Sequence, residues 1–228
     1  MWSSQERPCS AVLSAGVLGT SRFWNDTIRG MRIFGLTGNI ASGKSAVAAM
    51  LREAGIPVLD ADRISREVTA PGGRAYDAVV EAFGRGILRA DGTIDRMRLG
   101  ETVFADASLR ARLEAITHPP ILEAMKEALA ELARGGHRAA VVEATLIHES
   151  GRKGLFDAVI SVTCDRETQV QRLMARDGIS REQAEARFYA QMDADRKAGA
   201  SDYVIDNSGD LEETRRQVIA LVQVLQGT

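Results

Sequence analysis

The run Gly38-Asn39-Ile40-Ala41-Ser42-Gly43-Lys44-Ser45 follows the apolar residues Ile33 to Leu36 and opens an amphipathic stretch. A glycine, four residues and then Gly-Lys-Ser, set between a strand and a helix, is the pattern of a phosphate-binding loop. Glycines let the backbone curl until successive N–H groups face a polyphosphate, and the helix behind adds its positive N-terminal end. In that setting Lys44 reaches the β- and γ-phosphates, and the Ser45 hydroxyl serves a Mg²⁺ ion that bridges them. Gly38, Ala41, Ser42, Gly43 and Ala46 complete the set expected against the nucleotide. The chain is therefore expected to bind a nucleoside triphosphate such as ATP, with Mg²⁺.

The alternation continues beyond the loop. Strands are expected at 31–36, 57–60, 137–144, 157–164 and 203–206, with a helix at 43–54 after the first, which implies a parallel sheet. Residues 62–134 read as almost wholly helical, with breaks at Pro71-Gly72-Gly73, Ala90-Asp91-Gly92 and His118-Pro119-Pro120. Such a block between strands looks like a substrate-binding insert. Further helices are expected at 166–176 and 180–196, rich in arginine and acid. A closing helix at 211–225 is apolar at Val218, Leu221, Val222 and Leu225 and should pack on the sheet. The predicted division is a core of 31–61, 137–165 and 202–228, a helical acceptor-binding part at 62–136 and a lid at about 166–201. Residues 1–30 show no sustained period and are expected to be a poorly ordered extension. Met31 is a candidate natural start, and Glu6 and Asp26 argue against a transit peptide.

At 228 residues, 45% hydrophobic and 26% charged with five prolines, the chain suits one substantial α/β domain with inserts. A net charge of −2 supplies no polyelectrolyte drive toward nucleic acid. Cys9 and Cys164 lie far apart, without metal-ligand spacing, which favours a reducing cytoplasmic home. No apolar run is long enough to span a membrane. A monomer or weak homo-oligomer is expected.

Ligands of parallel sheets gather beyond the carboxyl ends of the strands. Asp60 and Asp62 fall there, where a phosphoryl-transfer enzyme needs a carboxylate to take or orient the acceptor hydroxyl's proton. Either aspartate could instead cap the next helix. Glu143, at another strand end, is placed to hold Mg²⁺ through water. Arg172, Arg176, Arg181 and Arg187 lie where a mobile lid brings guanidinium groups onto the transferring phosphate, although a solvated, ion-paired helix face accounts for such charges too. His118 precedes two prolines and on its chemistry marks a kink. His137 and His148 have no partners at metal-binding spacing.

The chain also resembles the dephospho-CoA kinase family from Met31 to about Leu225. The resemblance rests on Gly35-Leu36-Thr37-Gly38 leading into the phosphate loop, Val58-Leu59-Asp60-Ala61-Asp62, Leu113-Glu114-Ala115-Ile116-Thr117-His118-Pro119, Gln171-Arg172-Leu173-Met174-Ala175-Arg176-Asp177 and Asp202-Tyr203-Val204-Ile205-Asp206-Asn207. It implies an α/β P-loop NTPase core of three layers, α/β/α, with a helical substrate-binding insert and a helical lid. It implies transfer of the γ-phosphate of ATP to the ribose 3′-hydroxyl of dephospho-CoA. Asp62 then becomes the catalytic carboxylate, with Lys44 and Ser45 on phosphate and metal. Arg66 and His118 become acceptor-side residues, which reverses the structural reading of His118. Arg176 and Arg187 become phosphate-clamp positions, and Asn207 lies in the segment that passes near adenine.

The family pattern Asp-x-Pro-Leu-Leu-x-Glu is replaced by Glu143-Ala144-Thr145-Leu146-Ile147-His148-Glu149, and Asn39 and Ala41 stand where the loop commonly has glycine. Three rival readings share the loop. A sibling kinase acting on a nucleoside monophosphate or small alcohol would differ only in its acceptor pocket. A GTPase-type switch would need Asn-Lys-x-Asp, which is absent. A non-catalytic coenzyme A binder would not need Lys44, Ser45 and Asp62 together.

Overall fold

Consecutive residues of β1 (Arg32–Gly38) point to opposite faces of the sheet, and both faces are buried. That demands helices on each side. β1 is the central strand of five, in the order β2-β3-β1-β4-β5, with β2 Val58–Asp60, β3 Ala139–Glu143, β4 Ala158–Thr163 and β5 Tyr203–Asp206. All four pairings are parallel, so this is a three-layer α/β/α P-loop fold. The computed structural model describes Trp24, Ile28, residues 30–104 and residues 106–227.

Neighbouring residues along the strands feed two different cores. Phe34, Leu36, Val141, Ile160 and Val162 pack with Val47 and Leu51 of α1 (Lys44–Glu53) and with Val218, Leu221, Val222 and Leu225 of α9 (Leu211–Gln226). Ile33, Ala140, Val142 and Val159 face the helical insert instead. There they meet Ile64 and Val68 of α2 (Ala61–Val68), Val79 of α3 (Tyr76–Phe83), Leu99 of α4 (Arg96–Phe104) and Met125 and Leu129 of α5 (Ala107–Arg134).

Two helix expectations need correction. No break occurs at His118-Pro119-Pro120, because α5 runs unbroken for 28 residues with both prolines inside it. Each interior proline costs about 3 kcal/mol; burial of Met125 and Leu129 and the packing of α5 on α2, α3 and α4 outweigh that local penalty. The helix expected at 180–196 is two, α7 (Arg181–Tyr189) and α8 (Ala194–Gly199). The first run stops at Tyr189 with Ala190 as its C-cap, and Asp193 starts the second, since its side chain accepts from Arg196 N and caps α8. α6 spans Arg166–Asp177, close to expectation.

The poorly ordered extension expected at 1–30 lies mostly outside the described residues. Trp24 and Ile28, which fall within it, are buried in the insert-side core, and the Trp24 indole N–H donates to the Leu155 carbonyl. Among the described residues no helix is long and apolar enough to cross a membrane.

Candidate active site

The phosphate loop runs from the end of β1 to the start of α1. Its curl comes from two left-handed residues, Ala41 at φ 57° and Gly43 at φ 89°, with Ser42 N–H donating to the Asn39 carbonyl at 3.1 Å. Ala41 is the one non-glycine residue with positive φ among the described residues. Its short side chain holds that conformation at a cost of about 1–2 kcal/mol, so alanine in a glycine position leaves the loop shape intact. Gly43 has no such latitude, since a Cβ there would lie 1.9 Å from Asn207 Nδ2.

The N-terminus of α1 carries no side-chain cap and no acid in its first turn. Elsewhere, Asp60, Asp106, Asp165, Ser180, Asp193 and Asp210 cap α2, α5, α6, α7, α8 and α9. An uncapped helix start leaves orphan N–H groups and a positive dipole end for an anion. The Ser42 hydroxyl, buried within the loop without a partner among the described residues, is a further donor that a phosphate oxygen would satisfy. A polyphosphate thus fits the loop by geometry as well as by sequence.

Lys44, in the first turn of α1, meets Glu143 at the end of β3, with Nζ 3.0 Å from Oε1 and both side chains mostly buried. Glu143 lies at the strand end expected for it, and there it holds the lysine of the loop. Ser45 is exposed on the same first turn. These two oxygen-bearing side chains flank the lysine and suit Mg²⁺, a cation that takes one or two protein oxygens beside substrate phosphates.

The two aspartates divide their roles. Asp60 lies in register with Glu143 on the neighbouring strand and caps α2 by accepting from Arg63 N at 2.9 Å. Asp62 sits in the first turn of α2, exposed, and makes no side-chain hydrogen bond or ion pair among the described residues. Arg66, one turn on, is exposed and reaches Asp60 at 3.8 Å.

The loop from Gly38 to Ser45 lines a cleft of about 530 Å³ together with Thr145, Arg172, Arg176 and Gln191. Of the arginines singled out, the structure brings Arg172 and Arg176 to this cleft. Arg172 donates to the Asn207 carbonyl at 3.3 Å and has no carboxylate partner among the described residues. Arg176 and Arg187 both grip Asp177, at 2.7 and 2.6 Å, which holds that carboxyl below the usual range; Arg187 is not in the cleft wall. Arg181 clamps Glu167 and Glu185, and its hydrogen bonds push Glu167 down to about 2, the solvated ion-paired face foreseen as its alternative. Ala46 also lies outside the cleft wall.

Asn207, at the end of β5, is buried beneath the loop. Its Nδ2 donates to the Ser42 carbonyl at 2.8 Å and its Oδ1 accepts from Thr214 at 2.9 Å, so both ends of the amide are engaged in holding the loop. His118 is half-buried on α5, its ring nitrogens 2.7 and 2.8 Å from Arg152 Nη2. Burial first, then the Arg152 charge, holds His118 below its ordinary value, with Glu114 opposing. His118 is therefore a neutral acceptor for the guanidinium.

Sequence reasoning missed Arg152, Gln191 and Lys197. Gln191 Oε1 accepts from Ile40 N at 2.6 Å and Asn39 Nδ2 donates to the Met192 carbonyl at 2.8 Å, tying the loop to the segment between α7 and α8. Asparagine in place of glycine at position 39 supplies that second tie. Lys197 is 1% exposed, pairs with Glu149 at 2.7 Å and lies 3.4 Å from the Thr145 carbonyl, joining α8 to the turn after β3. The scarcity of lysine in an arginine-rich chain was the one available signal, and it did not say which lysine would be buried.

A family model for dephospho-CoA kinase matches residues 32–213. The chain is 52% identical to the dephospho-CoA kinase of Geobacter sulfurreducens over 188 residues, 82% of this chain and 95% of that protein. Identity to the Symbiobacterium thermophilum dephospho-CoA kinase is 48% over 190 residues, 83% and 80% of the two chains. Among solved structures, a Thermus thermophilus protein superposes with a TM-score of 0.75 at 34% identity, covering 86% of this chain and 99% of that one. Dephospho-CoA kinase from Campylobacter jejuni gives 0.56 at 27% identity, covering 87% and 99%.

Proposed function

The chain belongs to the dephospho-CoA kinase family, and from that premise we propose how its residues carry the γ-phosphate of ATP to the ribose 3′-hydroxyl of dephospho-CoA. The products are coenzyme A and ADP. Family membership also decides against a nucleoside-monophosphate kinase and a GTPase-type switch.

One observation carries the assignment of roles: an uncapped phosphate loop lies at the same end of the sheet as a carboxylate free of structural duties. The ATP phosphates lie against the α1 N-terminus, Gly38, Ala41, Ser42 and Gly43. Asp62 accepts the 3′-hydroxyl proton as that oxygen attacks in line, a role typically worth 10²–10⁴-fold. Its freedom matters, because a carboxylate already capping a helix is held in place by that hydrogen bond and is not free to turn to the acceptor. Asp60 does that work next door.

Lys44 neutralises charge that gathers on the β- and γ-oxygens, and Glu143 holds the lysine in place before nucleotide arrives. Ser45 and Glu143 are the residues that would hold Mg²⁺, whose charge stabilises the transferring phosphoryl group. Arg172 and Arg176 face the same cleft and supply positive charge from the lid at 166–201. Arg187 acts through Asp177, which it shares with Arg176, and so positions the clamp. Asn207 positions the loop from below. Arg66 and His118 serve the acceptor from the insert at 62–136, His118 by orienting Arg152. Loss of the proline at Thr145 is offset by the Thr37 hydroxyl, which donates to the Thr145 carbonyl at 3.0 Å.

A cytoplasmic location, in keeping with the free and buried thiol of Cys164, and a monomeric or weakly associating chain are the finer parts of this reading. The deciding experiment supplies ATP, Mg²⁺ and dephospho-CoA and reads the product by mass and by position of phosphorylation. 3′-Phosphorylated product, abolished in Lys44→Ala, is the expected result. ADP formation without acceptor phosphorylation would overturn the assignment.

A further inference from the structure

Asp62, Ser65, Arg66 and Thr69 are spaced at i, i+3, i+4 and i+7, so they share one face of α2 as it runs into its C-cap, opposite the buried Ile64 and Val68. The face starts at the carboxylate. At 1.5 Å per residue, Arg66 stands about 6 Å and Thr69 about 10 Å further along the helix axis from Asp62.

A second arginine reaches this face from another element. Arg96, the first residue of α4, lays its Nη2 2.8 Å from Thr69 Oγ1 and 3.5 Å from the Ser65 carbonyl. It has no carboxylate partner among the described residues. The adjacent acid, Asp95, is turned to Arg89 and Arg98 at 3.7 and 3.6 Å and caps α4 through Met97 N and Arg98 N. Among the described residues Arg66 is itself held only by a long contact to Asp60. Two guanidinium groups thus converge on one stripe of helix, close enough that burial and the Arg66 charge lower Arg96 from its ordinary value with only Asp62 opposing.

Two guanidinium groups that share one stripe with a single long carboxylate contact between them are stabilised when an anion joins them, and paired guanidinium forks match the geometry of phosphate oxygens. We infer that Arg96 and Arg66 form a diphosphate subsite on α2 that takes the 5′-diphosphate of the acceptor while Asp62 takes its 3′-hydroxyl. The two groups lie on opposite sides of one ribose, so a face of one to two helical turns spans both. The Thr69 hydroxyl and Ser65 carbonyl orient the Arg96 fork.

The inference rests on the acceptor assigned above, and its test separates the two. Steady-state kinetics of Arg96→Met should show KM for dephospho-CoA raised about 10- to 100-fold, the loss expected for a charge-assisted contact, with KM for ATP and turnover at saturation within about twofold. Arg96→Lys, keeping charge without the fork, should recover part of the loss. An unchanged KM in Arg96→Met would overturn the subsite, as would equal losses in both KM values and in turnover that lysine does not relieve. Calorimetric titration with dephospho-CoA reads binding apart from turnover. Weaker binding to Arg96→Met beside a wild type that binds but never phosphorylates would retain the subsite and sink the reaction. Equal binding to both proteins beside an active wild type would do the reverse.

Discussion

Lys44 and Glu143 form an ion pair of 3.0 Å between the first turn of α1 and the last residue of β3, with side chains only 16% and 11% exposed. The pair places the phosphate-binding ammonium before any phosphate is there. Removing one partner leaves the other charge partly buried. Lys44→Met is therefore expected to abolish turnover and also to destabilise the fold, by about 1–3 kcal/mol. Adding Glu143→Gln should restore the thermal midpoint without restoring activity. A single variant as stable as wild type would show that the pair does not hold the loop.

Asp62 and Asp60, two residues apart, should respond to substitution in opposite ways. Asp62→Asn is expected to lower kcat by about 10²–10⁴-fold with KM for ATP and stability unchanged, since the carboxylate has no structural partner among the described residues. Asp60→Ala should cost about 1 kcal/mol through loss of the α2 cap and reduce kcat far less. Chemical denaturation beside steady-state kinetics checks both, and a reversed pattern would exchange their roles.

Asn207→Ala removes bonds to the Ser42 carbonyl and to Thr214 from a buried amide. The loop loses its floor, and KM for ATP should rise about tenfold or more. Gly43→Ala alone should be worse, because its Cβ would meet the Asn207 amide and its φ of 89° is strained for alanine. If nucleotide titration found either protein binding ATP as tightly as wild type, Asn207 would have no part in shaping the loop.

Protonation of His118 is opposed mainly by burial and then by Arg152. Its folded value lies below its unfolded one, so the unfolded chain binds the proton more readily. The stability tied to neutral His118 is complete above the unfolded value of about 6.5 and is lost as pH falls through the lower folded value. His118→Gln should flatten the fall in thermal midpoint from pH 7 to 5. An unaltered slope would mean that other groups carry it.

Trp24 lies before the first strand yet is 1% exposed. Trp24→Ala should cost about 3–5 kcal/mol, and a chain started at Met31 should melt lower than the full one. Equal melting temperatures would make the segment dispensable for the fold.

Sequence alone determined the phosphate loop, the parallel α/β alternation and the closing helix, because those follow from local spacing: glycines at set intervals, apolar residues at a strand's or a helix's own period. It placed Lys44, Ser45, Asp62 and Glu143 at or just beyond the carboxyl ends of the strands, where a parallel sheet gathers its ligands. Tertiary structure decided what spacing does not encode. It carried α5 through two prolines, gave Asp60 the cap and left Asp62 free, set Arg172 rather than Arg187 in the cleft wall, put the Asn207 amide under the loop, and brought Arg152, Lys197 and Arg96 to partners far away in sequence. The physical reason is the same in each case. A local pattern records which way a side chain points from its own element, whereas its partner is set by where a second element packs, and burial of the shared core outweighs the local preferences of either.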